Sequence, residues 1–192
     1  MPEKRGGAGR EDLLARLAEK PFVWTADAAR QVRRALWTGF GREAPGNTSR
    51  PPFIVPSIRT VQDHGVVEIM RGCPNGCRFC QAGNFYRPFR LKESEAISGE
   101  VRSLVYGCGY REITLSSLSS GDYPGLAGLV RALNRRLRQQ KVSFSLPSLR
   151  IDSLALELLS EISAVRKSGL TFAVETPDEP GQRALNKIAP LD

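Results

Sequence analysis

Cys73, Cys77 and Cys80 stand in the pattern C-x3-C-x2-C within eight residues. The chemistry open to such a group is metal ligation. Thiolates at this spacing can wrap one corner of a cubane, each ligating a different iron. Gly72, Pro74 and Gly76 suit a loop whose backbone must turn tightly round an inorganic core. No fourth ligand stands nearby in the chain, and three protein ligands leave one iron open. An open coordination position is how a metal site does chemistry rather than structure.

A structural zinc site would need four donors, and His64 or Cys108 could complete the set. The apolar run 66–70 separates His64 from the cysteines and is expected to carry it to the opposite end of the fold. Cys108 falls at the far end of the next helix. An electron-transfer ferredoxin site would need a fourth cysteine in a compatible position. The open iron–sulfur cradle is therefore the favoured reading and zinc the second. His64 then reads as an ordinary loop residue, and Cys108 as a small buried hydrophobe.

The elements that must position the cysteines follow from hydrophobic period. Val66 to Met70 is an apolar run of strand length that opens directly into the cysteine loop. A helix is expected over about 93–106, with Ile97, Val101, Leu104 and Val105 on one face and Gly107 as its stop. A second strand runs from Glu112 to about Ser117, and Pro124 starts a helix lined by Leu126, Leu129, Val130, Leu133 and Leu137. Val142 to Leu146 is the third strand. Asp152 caps a helix with Leu154, Ala155, Leu158, Leu159 and Ile162 inward. Leu170 to Glu175 reads as a fourth strand, and Pro180 begins one more helix.

Strands alternating with helices of this length predict an α/β fold with a parallel sheet of right-handed βαβ units. In such folds the loops leaving the C-terminal ends of the strands build the site. The cysteine loop follows strand one, Ser119 to Asp122 follow strand two, Pro147 to Arg150 follow strand three, and Glu175 ends strand four. The polar chemistry is thus expected on one rim.

Residues 1–52 read as a helical extension and linker, and 53–192 as the core domain. Within the extension, Glu11 to Lys20 is expected to be helical. Thr25 can cap a second helix carrying Ala28, Val32, Ala35 and Leu36, with Gly39 as its stop. Glu43 to Pro56, with four prolines at 45, 51, 52 and 56 and a Gly46–Asn47 pair as turn formers, reads as a linker or an extended strap.

The chain has 192 residues, 41% hydrophobic and 25% charged, close to soluble globular proteins. No apolar stretch approaches the roughly 20 residues needed to span a bilayer. The polar, glycine-rich N-terminus has no apolar segment behind it, so the expectation is a cytoplasmic protein without membrane partners. A net charge of +8 permits contact with nucleic acid without establishing it. The densest run, Arg135, Arg136, Arg138 and Lys141, falls at a helix end, where cations favour the negative end of the dipole. A solvated helix end is the favoured reading of that run.

The signature C-x3-C-x2-C with Phe79 just before the last cysteine resembles that of the radical S-adenosylmethionine (radical SAM) superfamily. The finer resemblance is to bacterial radical SAM proteins that usually carry an N-terminal cobalamin-binding-type domain. It lies in Val67 to Cys73, Gly76 to Gly83, Tyr86-Arg87-Pro88, Ser117 to Tyr123, Ser145 to Arg150 and Ser168 to Ala173. Residues 1–65 are too few for a cobalamin domain and hold no motif for one.

That resemblance implies a partial (β/α) barrel with about four βα units present, preceded by the short extension. It implies a [4Fe–4S] cluster on Cys73, Cys77 and Cys80, with the open iron chelating S-adenosylmethionine (SAM). Reductive cleavage of SAM would release a 5′-deoxyadenosyl radical that abstracts hydrogen from a substrate. Phe79 would pack near the adenine. Ser120, Gly121 and Asp122 would meet the methionyl ammonium, a sound pairing for a carboxylate. Ser148, Arg150 and Glu175 would meet ribose and carboxylate groups.

Each of these residues has a plainer reading beside it. Asp122 could cap the helix near Pro124, Arg150 could be a surface cation, and Phe79 could be core packing. Glu175, at the end of an apolar strand, needs a partner in either case. A radical SAM core usually has about six βα units, so the chain reads as a truncated fragment of such a barrel, or as one part of a barrel that a second polypeptide completes. A flavodoxin- or ferredoxin-like electron donor is an expected partner. The competing hypothesis is a non-catalytic iron–sulfur or zinc module that binds a partner such as RNA.

Overall fold

The structure is a computed structural model and describes residues 9–26, 31–41, 56–58, 60–151, 156–166 and 169–189. The chain divides into two compact units, Met1–Thr38 and Gly39–Asp192. In the first unit, α1 (Arg10–Ala18) occupies most of the expected 11–20 helix, with Glu11 and Asp12 in its first turn, where the helix dipole favours acids. The second expected helix does not form over residues 31–37, and Ala28 lies outside the described residues. Instead, the Arg33 amide donates to Pro21 O at 2.8 Å, and Leu36 and Trp37 are exposed. An isolated short helix is marginal without a surface to bury its apolar stripe. The strap over 43–56 falls almost wholly outside the described residues.

The second unit is built on β1 (Gly65–Glu68), β4 (Glu112–Ser116) and β5 (Ser143–Ser145), joined in that order as a parallel sheet. Between them in sequence lie β2 (Met70–Arg71) and β3 (Arg90–Leu91), a two-residue antiparallel pair. Register sets Val67 beside Leu115 and Ile113 beside Phe144. These residues, with Ile69, face the helices and are fully or nearly fully buried. The alternate face carries Val66, Glu68, Thr114, Ser116, Ser143 and Ser145 and is half-buried or exposed. Period-two alternation with one face under helices is the expected signature of such a layer.

The helices are α2 (Gln81–Phe85), α3 (Ser94–Arg102), α4 (Leu126–Arg136), α5 (Leu156–Ser163) and α6 (Glu179–Leu185). The expected 93–106 helix ends earlier as a regular helix and finishes in one wider turn, Ser103–Gly107. Ile97, Val101, Leu104, Val105, Leu126, Leu129, Val130 and Leu133 all reach the core as their period predicts. Helix α4 starts at Leu126, after Gly125 at φ +70°. Asp152, expected to cap α5, lies outside the described residues, as do Leu154 and Ala155.

The fourth strand is a correction. Over 170–174 Leu170, Phe172 and Val174 are partly buried while Thr171 and Ala173 are exposed, but the stretch joins no ladder among the described residues. Leu170 and Phe172 pack on the core, so side-chain burial anchors the segment. β5 is only three residues long, which leaves little template for a further strand. The described architecture is a mixed α/β unit with three parallel strands.

Phe40 and Gly41 seal the β2–β3 pair. Phe40 is buried under Arg71, whose guanidinium carbon lies 4.5 Å from the ring centre, with Lys92 Nζ at 5.6 Å. Such stacking favours cations on the ring face. The Glu93 amide donates to Gly41 O at 3.2 Å. Lys92 itself is bound to Glu100 at 2.7 Å, and Tyr123 donates its hydroxyl to Lys92 O at 2.8 Å. Burial pushes the Tyr123 hydroxyl above its ordinary pKa, with Glu95 and Glu93 adding to the shift.

Candidate functional site

β2 delivers the chain to Gly72, whose φ of +80° turns it into the cysteine loop. A Cβ at Gly72 would lie 2.6 Å from Tyr86 O and 3.1 Å from Phe89 Cα, so the backbone of 86–89 passes where only glycine fits. Cys73, Cys77 and Cys80 are all free and half-buried. All three line one cleft of about 280 Å³ at the strands' C-terminal rim, beside Phe79, Ser119, Ser148, Arg150 and Lys187.

Each sulfur accepts a hydrogen bond from a different donor. Asn75 Nδ2 reaches Cys73 Sγ at 3.6 Å. The Gly83 amide reaches Cys80 Sγ at 3.3 Å, which makes Cys80 the N-terminal cap of α2. Arg150 Nη1 reaches Cys77 Sγ at 3.6 Å. Donors aimed at thiolate sulfur stabilise the anionic ligand form and tune what it binds. Among the described residues no three His, Cys, Asp or Glu side chains gather closely enough to hold a single metal ion. His64 and Cys108 are absent from the cleft lining; Cys108 packs against the core instead. Three thiols round one cleft, each with its own N–H donor, are of the right chemistry for a cluster in which each sulfur takes a different iron.

The loop after β4 meets the cysteine loop directly. Asp122 Oδ2 accepts from Asn75 Nδ2 at 2.5 Å and from Ser119 Oγ at 2.6 Å. It makes no capping bond to α4, whose N-terminus has no side-chain cap, so the capping alternative for Asp122 falls away. Ser120 is fully buried, bonded through Oγ to Ser117 and to Leu115 O. Its amide donates to Ser148 O at 3.2 Å, tying the β4 loop to the β5 loop. Ser120, Gly121 and Asp122 brace the cleft wall without lining it, whereas Phe79, Ser148 and Arg150 line it.

Glu175 has the partner its position demanded. Its Oε1 accepts from Lys187 Nζ at 2.8 Å, and Lys187 lines the cleft. Ser148 and Glu175 both adopt left-handed backbone, at φ +58° and +72°. For residues other than glycine that conformation costs about 1–3 kcal/mol and concentrates at functional sites.

The outer side of the cysteine loop is clasped by the end of α6. The Arg78 amide donates to Leu185 O at 3.0 Å and its guanidinium to Ala184 O at 2.5 Å. Asn186 Nδ2 donates to Gly76 O at 2.9 Å. Asn75, Lys187, Arg78 and Asn186 were not marked by the sequence reading. Nothing in their types distinguishes them, because each acquires its role through a partner distant in the chain.

A second cleft of about 390 Å³ opens on the sheet face that the helices leave bare, lined by Glu68, Arg71, Tyr86, Ser116, Ser117 and Leu118. It shares Leu118 with the cysteine cleft. Glu68 and Arg71 form an ion pair in it at 2.5 Å, and that pair raises the Arg71 pKa. Arg135, Arg138 and Lys141 of the basic run line a separate groove with Glu161. There Arg131 is bound by Glu157 and Glu161. Arg131, with Asn134, holds the Glu161 carboxyl below the usual carboxylate range.

Residues 67–192 match the family model of the radical SAM superfamily, and the chain belongs to that superfamily. It is 31% identical over 108 residues to a ribosomal protein uS12 methylthiotransferase of Helicobacter acinonychis, a match covering 52% of this chain and 24% of the relative. It is also 31% identical over 114 residues to an uncharacterized protein of Methanocaldococcus jannaschii, covering 59% and 24% respectively. The matched stretch thus spans about a quarter of each relative's length. No helix among the described residues is long and apolar enough to cross a membrane.

Proposed function

We propose that this chain is a radical SAM enzyme core, with Cys73, Cys77 and Cys80 as the ligands of a [4Fe–4S] cluster. The observation that carries the reading is the cleft in which three free thiols, each met by its own N–H donor, stand beside Phe79, Ser148, Arg150 and Lys187. When bound, the cluster supplies the single electron that cleaves the sulfonium of SAM.

The chain's own residues then have defined tasks. Arg150 and Asn75 place positive hydrogen-bonding edges on sulfur and offset thiolate charge. Asp122, which braces the cleft wall through Asn75 and Ser119, would receive the methionyl ammonium. Phe79, half exposed in the cleft, offers its ring to the adenine. Ser148 presents its hydroxyl, and Lys187 its ammonium, to the ribose or the carboxylate. The neighbouring cleft at Glu68, Arg71 and Ser116 would hold the substrate beside the cofactor. A flavodoxin- or ferredoxin-like protein would deliver the electron.

Anaerobic reconstitution with iron and sulfide, followed by a 5′-deoxyadenosine assay under reducing conditions, tests the proposal. The expected result is absorbance near 400 nm and SAM-dependent change in the electron paramagnetic spectrum of the reduced cluster. Protein that binds zinc in place of iron, or a cluster that never responds to SAM, would favour the non-catalytic module.

A further inference from the structure

We propose that Asn75 is a positioning residue that couples the cysteine loop to the Ser119–Asp122 loop, its one side-chain amide serving both Cys73 Sγ and the Asp122 carboxylate. The inference rests on the cluster-and-SAM reading above. Asn75 Nδ2 carries two protons and faces three acceptors: Asp122 Oδ2 at 2.5 Å, Ser119 Oγ at 3.3 Å and Cys73 Sγ at 3.6 Å. Ser119 spends its own proton on the same Asp122 oxygen at 2.6 Å. One amide proton therefore goes to the carboxylate, and the other is shared between the hydroxyl and the sulfur. The reverse orientation of the amide would set its carbonyl oxygen against a carboxylate, so the chemistry of the site fixes which end faces inward.

An asparagine in a loop ordinarily binds nearby backbone, forming a local turn. Among the described residues the side chain of Asn75 makes no backbone hydrogen bond. All three of its partners are side-chain atoms, and two lie on a segment 44 and 47 residues away. No other donor among the described residues reaches Cys73 Sγ. A cation arriving at Asp122 competes for Oδ2 and frees an amide proton for the sulfur. Occupancy of the Asp122 side is thereby felt at the Cys73 side. An N–H donated to a ligating thiolate raises the reduction potential of its cluster.

The test uses the anaerobically reconstituted full chain, with SAM as the probe, and the variants Asn75→Leu and Asp122→Asn. Iron content, cluster potential without SAM and SAM affinity by calorimetry are read for each. Asn75→Leu is expected to keep its iron, to show a more negative potential, and to bind SAM roughly tenfold more tightly, because the cation no longer competes with the Asn75 amide for Asp122. Asp122→Asn is expected to weaken SAM binding without making the potential more negative. Wild-type potential and affinity in an iron-loaded Asn75→Leu protein would overturn the coupling and leave the parent reading standing. Iron loss in Asn75→Leu that Asn75→Ser does not restore would make the residue a brace of the loop and likewise overturn it. Wild-type protein that forms no cluster would overturn the parent reading and this inference together.

Discussion

Lys187 Nζ lies 2.8 Å from Glu175 Oε1 and 6.0 Å from the centre of the Phe79 ring. One ammonium thus joins the acidic residue at the end of the 170–174 stretch to the aromatic residue beside the third cysteine. Lys187 is only 15% exposed, so this ion pair is largely shielded from solvent. Glu175 acts on the cleft through Lys187, which lines it, whereas Glu175 does not.

Glu175→Ala is therefore expected to leave the cluster assembled and to weaken SAM binding by about 0.5–1.5 kcal/mol, the range for one hydrogen-bonded contact. Lys187→Ala should weaken it to a similar degree, and the double variant by no more than the larger single effect. Residues that act as one unit are non-additive. Calorimetric titration of the three iron-loaded variants decides it; fully additive losses would mean that Glu175 and Lys187 meet SAM independently.

Replacement of Cys73, Cys77 or Cys80 by Ala is each expected to lower iron retention sharply, because three-point ligation has no spare donor. Cys108→Ala is expected to retain iron, since Cys108 packs against the core and not in the cleft. Iron and sulfide analysis after desalting measures both. Equal iron loss in Cys108→Ala would show that the ligand set has been misassigned.

Gly72→Ala and Gly109→Ala separate backbone strain from collision. Both glycines have φ near +80°, but a Cβ at Gly109 meets nothing within 4 Å, whereas at Gly72 it meets backbone at 2.6 Å. Gly109→Ala should lose about 1 kcal/mol of stability, the cost of left-handed backbone in a non-glycine residue. Gly72→Ala should lose clearly more and also take up iron poorly, because the collision moves the entry to the Cys73 loop. Denaturant melts and iron content of the two variants supply the comparison.

What was legible in the sequence depended on how far away the deciding partner lies. Cys73, Cys77 and Cys80 fall within eight residues and stand out by spacing alone, and the core faces of α3 and α4 stand out through helical period. The helix expected after Thr25 needed an apolar surface to lie on, and Leu36 and Trp37 are instead exposed. The strand expected at Leu170 needed a ladder neighbour, which no local pattern encodes. Asn186 holds Gly76 across 110 residues, and Asn75 holds Asp122 across 47. Their residue types are common in loops, and only the folded chain shows what they bind. Topology led to the expectation of Asp122 on the rim after the second strand, but its partners became visible only with the two loops side by side.

The last prediction concerns the clasp behind the cysteine loop. Asp178 caps α6 by accepting from the Gly181 amide at 2.7 Å, and it also accepts from Thr176 Oγ1 at 2.6 Å. The Thr176 hydroxyl first, and then the Gly181 amide, hold its carboxyl below the usual carboxylate range. A depressed folded-state pKa contributes stability that is fully present above the unfolded value of about 3.9 and is lost as pH falls through the lower folded value. Helix α6 ends in the carbonyls that grip Arg78, so loss of the cap should loosen the loop bearing Cys77 and Cys80. Asp178→Ala is expected to speed amide exchange at Arg78 at neutral pH and to lower the melting temperature modestly. The melting difference from wild type should stay constant between pH 7 and 5 and shrink only below about pH 4. A difference that shrinks already near pH 6 would assign the effect to another group, and unchanged exchange at Arg78 would show that the clasp does not depend on the cap.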